Sequence, residues 1–167
     1  MKFAVAVHYD TEGACAAAVA FEAWDAPEPM RTYTSRIAHV ERATPGQLDL
    51  RALPCILQLL REHTLAAELI VIDGFVHLDA NETPGLGQVL HHALGGAVAV
   101  VGVSKTARPG LSAQFEVDRE AETRPLIVTC LGIDLASAKA RLRAMHGRKR
   151  VPTLLKWVAR LAKGGAN

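Results

Sequence analysis

The sequence predicts one α/β domain over residues 1–167, with a mixed sheet in which three antiparallel strands precede alternating helices and strands. Two observations carry this prediction. Strand-like segments separated by turn residues occupy the first 40 residues, and continuous apolar runs then alternate with helical stripes. A chain of 167 residues also has the length of one domain with a substantial core.

The three antiparallel strands are predicted from alternation and from turns. The segments KFAVAVHY (2–9) and RTYTSRIAHV (31–40) are rich in β-branched and aromatic residues and alternate in character. Between them, GACAAAVAFEAW (13–24) has the alanine content of a helix, but turn-like sequences flank it on both sides. We therefore expect three consecutive strands.

The later strands are predicted from apolar runs. LIVID (69–73), AVAVVGVS (97–104) and LIVTC (126–130) are continuous apolar segments, which are typical of strands buried on both faces. The segment LDLRALPCILQLLREH (48–63) instead has apolar residues at helical spacing. Helices and strands should therefore alternate here.

Three more helices are predicted from their ends. One is expected over residues 84–94. Asp134 is a suitable N-cap for the next, and Pro152 suits the first turn of a last helix that should end at Gly164-Gly165.

Charge is distributed unevenly along the chain. No acid follows Asp134, although nine of the nineteen lysines and arginines do. A basic C-terminal part after a more acidic remainder predicts a polyanionic partner, and nucleic acid is the first candidate. The alternative interpretation is that these cations only form a solvated helix face. The absence of long apolar runs predicts no membrane span, and three scattered cysteines are typical of a reducing compartment, so we expect a cytoplasmic protein.

Five motifs in register carry a resemblance to a known family. They are TPGQLDLRALP (44–54), VIDGF (71–75), PGLGQVLHHALGGAVAVVGVSKT (84–106), RPLIVTCLGIDLASAKARL (124–142) and RKRVPTLLKWVARLAKG (148–164). In this order they resemble the endonuclease V family, which nicks DNA or RNA near inosine with Mg²⁺ and serves DNA repair. The resemblance implies a ribonuclease H-like fold.

The resemblance also implies a cluster of acids around Mg²⁺, a hard ion that prefers oxygen ligands. Here the family's first-strand aspartate falls on Ala6 and its glutamate falls on Ala52. The family's later histidine falls near Leu131. Asp73 and Lys105 remain as catalytic candidates. The sequence therefore predicts a dismantled metal site.

A displaced metal site is the alternative. Strand residues two apart share a face, so His8 and Asp10 should point the same way as Ala6. With Asp73 they would form a His/Asp/Asp cluster that lies about 6.5 to 7 Å or more further along the strand than the metal site that the resemblance implies. Mg²⁺ is expected only if such a site exists.

Other residues are candidates for contact with nucleic acid. Pro45-Gly46 match the family's lesion-probing loop, although its tyrosine is replaced near Ala43 or Thr44. The groove and phosphate candidates are Gly74, Pro84-Gly85, Lys105, Arg148, Lys149 and Arg150.

Three functions follow as hypotheses. The first is a nucleic-acid-binding relative of endonuclease V with weak or absent cleavage. The second is an active, divergent Mg²⁺-dependent endonuclease V that acts on inosine-containing DNA or RNA. The third is a structural or partner-binding protein that does not use nucleic acid.

Overall fold

A computed structural model describes residues 1–120 and 124–164. In chain order, the strands of this part are β1 Lys2–Asp10, β2 Gly13–Phe21, β3 Arg31–Ile37, β4 Leu69–Asp73, β5 Ala99–Ser104, β6 Glu116–Val117 and β7 Leu126–Leu131. The α-helices are α1 Ala52–Glu62, α2 Leu86–Ala93, α3 Leu135–Ala144 and α4 Thr153–Ala162. The strands form one mixed sheet in the order β3-β2-β1-β4-β5-β7-β6. The predicted α/β class with three N-terminal antiparallel strands is confirmed.

The alanine-rich segment is the middle strand of the antiparallel part, as predicted. It pairs with β1 on one side and with β3 on the other. Its residues alternate between two cores, because Ala16 and Ala18 pack against α1 while Ala17 and Val19 pack against α4. All four are fully buried. Small side chains let both helices approach the strand closely, which overrides the helical propensity of alanine.

The apolar runs form the centre of the sheet. β4 runs parallel to both β1 and β5, so their carboxyl ends lie at one edge. β7 returns antiparallel to β5, and the two-residue β6 pairs with β7. The sequence did not predict β6, because two residues carry no measurable alternation.

The helices cover both faces of the sheet. α1 and α2 contribute to one core, and α3 and α4 contribute to the other. The predicted N-cap is confirmed, since the Asp134 carboxylate accepts a hydrogen bond from the Ser137 N–H at 3.2 Å. Pro152 is the N-cap of α4, one residue earlier than predicted. The predicted end at Gly164-Gly165 lies just past Ala162, and Gly165 is outside the described residues. No helix in the described ranges has the length and apolar character that a bilayer span requires.

Candidate functional site

Three predicted positions lie side by side on adjacent strands. Ala4 of β1 is level with Val71 of β4, so Ala6 continues this register to the level of Asp73. Asp73 in turn pairs with Val103, and Lys105 lies two residues further along the chain, directly after the end of β5, where it lines the same groove as Ala6 and Asp73. The parallel order of β1, β4 and β5 thus brings Ala6, Asp73 and Lys105 together.

A groove of about 400 Å³ separates this face from α4. Ala6 and Asp73 form part of its floor, with Lys105 beside them. Lys156 and Arg160 of α4 and its C-cap residue Lys163 form the opposite wall, and most of the remaining lining is aliphatic. One exposed carboxylate therefore faces four cations, and the groove has the electrostatic character of an anion-binding site.

A smaller cavity of about 220 Å³ lies on the other side of Asp73. Its wall contains Ala6, Ala52 and Asp73, which are the three positions at which the family resemblance implies acids. Ala52 reaches this point because it is the first residue of α1, which packs against β1. The chain therefore keeps the convergence of these positions but supplies one carboxylate among them.

A second acid at this cavity escaped the sequence prediction. Asp49 lines it but accepts hydrogen bonds from the Arg51 guanidinium, with Nε to Oδ1 at 3.0 Å and Nη2 to Oδ2 at 2.8 Å. The hydrogen bond from Arg51 holds the pKa of Asp49 below its usual value. The guanidinium also lies 4.2 Å from the centre of the Tyr9 ring, and burial, with the Asp49 charge, raises the pKa of Tyr9 to about 12. The negative charge of Asp49 is thus balanced by the Arg51 guanidinium.

The predicted cluster of His8, Asp10 and Asp73 is not formed. Asp10 ends β1 and makes a bidentate ion pair with Arg36 of β3, at 2.6 Å and 2.7 Å. The hydrogen bonds from Arg36 lower the pKa of Asp10 to about 2. Asp10 also lies four residues past Ala6, about 13 Å along the strand. Within residues 1–120 and 124–164, no three His, Cys, Asp or Glu side chains lie close enough to share a metal ion.

Among the predicted phosphate contacts at residues 148–150, Arg150 needs correction, while those of Arg148 and Lys149 stay predictions. The Arg150 guanidinium donates to the carbonyl oxygens of Lys105 and Arg124 at 2.5 Å and of Pro125 at 3.0 Å, so it holds the backbone of the sheet edge. Lys149 lies 3.9 Å from the Glu120 carboxylate but is largely exposed. Arg148 is exposed.

A half-buried arginine that the sequence did not indicate supports the same segment. Arg119 donates to the carbonyl oxygens of Met145 at 2.7 Å and Gly147 at 2.8 Å, and to those of Lys149 and Arg150 at 3.1 Å and 3.5 Å. Burial lowers the pKa of this guanidinium. These bonds satisfy carbonyl groups after α3 and fix the segment that leads into α4.

The glycine candidates divide into two kinds. Gly85 is buried at the start of α2, and an added Cβ would come within 2.5 Å of the Phe75 carbonyl oxygen, so this glycine serves close packing. Gly74 directly follows Asp73 at φ +146° with open space around it. Pro45 and Gly46 lie in an exposed turn between β3 and α1.

Among the cations of the groove, the sequence prediction named Lys105 and missed those of α4. The signal that could have found them is their spacing. Arg160 and Lys163 follow Lys156 by four and seven residues, so the three side chains share one helix face.

Comparison with solved structures identifies the fold. The chain is similar to endonuclease V of Ciona intestinalis in complex with a 23mer DNA that contains an inosine followed by a ribo-adenosine, at 15% identity and a TM-score of 0.76 over 98% of this chain and 83% of that one. It is similar to endonuclease V of Streptomyces avermitilis at 24% identity and a TM-score of 0.74, over 97% and 79% of the two chains. It is also similar to the catalytic domain of human endonuclease V at 21% identity and a TM-score of 0.74, over 98% and 80%.

No protein-family model and no curated protein matches the sequence. The chain therefore has the endonuclease V fold, as the five motifs predicted, on a strongly divergent sequence.

Proposed function

We propose that this protein binds nucleic acid on an endonuclease V fold whose metal site has been dismantled, so that cleavage is weak or absent. One observation carries the proposal. Ala6, Ala52 and Asp73 line a single cavity at the carboxyl ends of the central strands, which is where the resemblance implies a cage of acids. The geometry of the site persists without most of its oxygen ligands.

The donor set does not suit Mg²⁺. This ion prefers oxygen ligands in octahedral geometry and takes part of its binding energy from carboxylate charge. Among the described residues that line the groove, Asp73 is the one acid, and Lys105, Lys156, Arg160 and Lys163 add positive charge. Asp49 already accepts two hydrogen bonds from the Arg51 guanidinium. We therefore derive no reaction step through a metal at this site.

The groove supports a binding function. Four cations around an apolar floor provide contacts for phosphates and for the flat face of a base. Gly74 leaves open space directly beside Asp73. Under this proposal, Lys105, Lys156, Arg160 and Lys163 replace Arg150 as the main phosphate contacts.

Binding is tested with inosine-containing and ordinary DNA and RNA oligonucleotides at several salt concentrations. Four phosphate contacts to a single strand give a slope of about −3 in log affinity against log salt. The double variant K156Q/R160Q should lose about half of that slope. The variant R141Q/R143Q, which removes two exposed cations of α3 outside the groove, is the matched control and should keep it. An affinity that does not change with salt would contradict the proposal.

Cleavage is tested on the same oligonucleotides with Mg²⁺ or Mn²⁺. We expect no product beyond that formed by Asp73→Asn. A cleavage activity that disappears in Asp73→Asn and persists in R141Q/R143Q would establish the active divergent enzyme instead.

A further inference from the structure

The outer face of α4 combines cations with an exposed indole. This helix contains no acid, and Lys156, Arg160 and Trp157 are all exposed. Trp157 has 38% of its surface accessible, whereas the chain's other tryptophan, Trp24, has 9% and packs edge-to-face against Phe21. Trp157 is thus the more exposed of the two indoles, and it lies beside two cations at the edge of the buried face of α4.

The helical geometry orders these side chains relative to the groove. Successive residues of an α-helix turn by about 100°. Lys156 and Arg160 therefore lie between Ala159 on the groove side and Trp157 on the far side of the exposed face. A polyanion that leaves the groove across α4 would meet the two cations before it reaches the indole.

The face is held rigidly. Leu154, Val158 and Leu161 of α4 are buried in the core above the sheet, and Trp157 lies at the edge of this buried face, about 40° around the helix from Leu161. The start of the helix is fixed as well, because the Thr153 N–H donates to the His146 carbonyl oxygen at 2.9 Å. A rigid aromatic side chain loses little conformational entropy when it stacks on a ligand.

We propose that Trp157 is a stacking surface for one unpaired base of a single-stranded nucleic acid whose backbone crosses Lys156 and Arg160. This inference rests on the proposed binding function and specifies its partner. The base must be unpaired because a duplex covers the faces of its internal bases, whereas stacking on an indole requires an open face. The two cations provide the charge complementarity that places the strand.

The experiment uses tryptophan fluorescence with dT15 and with a blunt, fully paired 15-base-pair DNA duplex. The two tryptophans separate the signals, since Trp24→Phe leaves Trp157 as the reporter and Trp157→Phe leaves the buried Trp24. We expect dT15 to quench the fluorescence of the wild type and of Trp24→Phe, and to leave that of Trp157→Phe unchanged. The duplex should cause little quenching of the wild type.

Affinity for dT15 is measured on the same proteins by anisotropy of a labelled strand. Trp157→Ala should weaken binding about tenfold, Trp157→Phe should recover most of the loss, and neither should alter the salt slope, because no charge changes. Equal affinity of the wild type and Trp157→Ala, or equal quenching by duplex and dT15, would overturn this inference while leaving the binding function intact. Absence of any binding to DNA or RNA by the wild type would overturn both.

Discussion

Two acids introduced at Ala6 and Ala52, where the family resemblance implies them, should create metal binding. The structure places Ala6 and Ala52 on the wall of the same cavity as Asp73, so Ala6→Asp with Ala52→Glu would bring three carboxylates around one point. We expect this double variant to bind Mn²⁺ about a hundredfold more tightly than the wild type. Both alanines are half-buried, so the new side chains should point into the cavity rather than into bulk solvent.

The magnitude follows from Coulomb's law. A carboxylate about 4 Å from a divalent ion contributes about 8 kcal/mol at an effective dielectric constant of about 20, which is twice the value for two unit charges. Most of the attraction from the two new carboxylates is offset, because the ion must lose water and the crowded acids must lose protons when it binds. A net gain of about 3 kcal/mol corresponds to about a hundredfold in affinity.

The assay is a titration with Mn²⁺ in which binding is measured by calorimetry and by the rise in melting temperature. The matched control is Ala43→Glu with Ala144→Asp, which adds the same charge at two exposed positions outside this cavity. A folded double variant that binds Mn²⁺ no more tightly than this control would refute the claim that the three positions still converge.

Three further predictions concern the framework. Arg119→Met should lower the free energy of unfolding by about 3 kcal/mol in urea denaturation, because four carbonyl oxygens lose a charged donor. Thr129→Val should lower it by about 2 kcal/mol in the same assay, because the buried Val76 N–H loses its acceptor at 2.8 Å. Asp10→Asn should lower stability at neutral pH through loss of the Arg36 ion pair. The pKa of Asp10 is about 2 in the folded protein against a usual 3.8, so the stability that the ion pair contributes is complete above pH 4 and is lost as the pH falls through 2. A stability difference between Asp10→Asn and the wild type that grows in acid would contradict this prediction.

Local patterns predicted most of the elements. Apolar runs identified the central strands, and turn residues identified the antiparallel ones, because burial on one or both faces leaves its period in the sequence. The Asp134 cap could be predicted because an N-cap bonds within the first turn of its own helix, here to the Ser137 N–H three residues away. By contrast, β6 was missed because it is too short to show a period.

The site depended on contacts between distant residues. In the alternative metal site, Asp10 was expected to reach toward Asp73, but its partner is Arg36 on another strand. Arg150 was predicted to contact phosphate, but its guanidinium binds carbonyl oxygens that are 25 or more residues away. An ion pair or hydrogen bond depends on which donors meet in space, and sequence spacing says little about that.

The sequence alone predicted the fold class of this protein, and its resemblance to endonuclease V pointed to Ala6 and Ala52 as positions at which acids are implied. The tertiary structure decided that both alanines still line one cavity with Asp73, and that α4 rather than residues 148–150 lines the groove with cations. The physical reason is the range of the interactions. Propensity and burial act within a few residues, whereas strand register and helix packing bring together side chains that lie far apart in the chain.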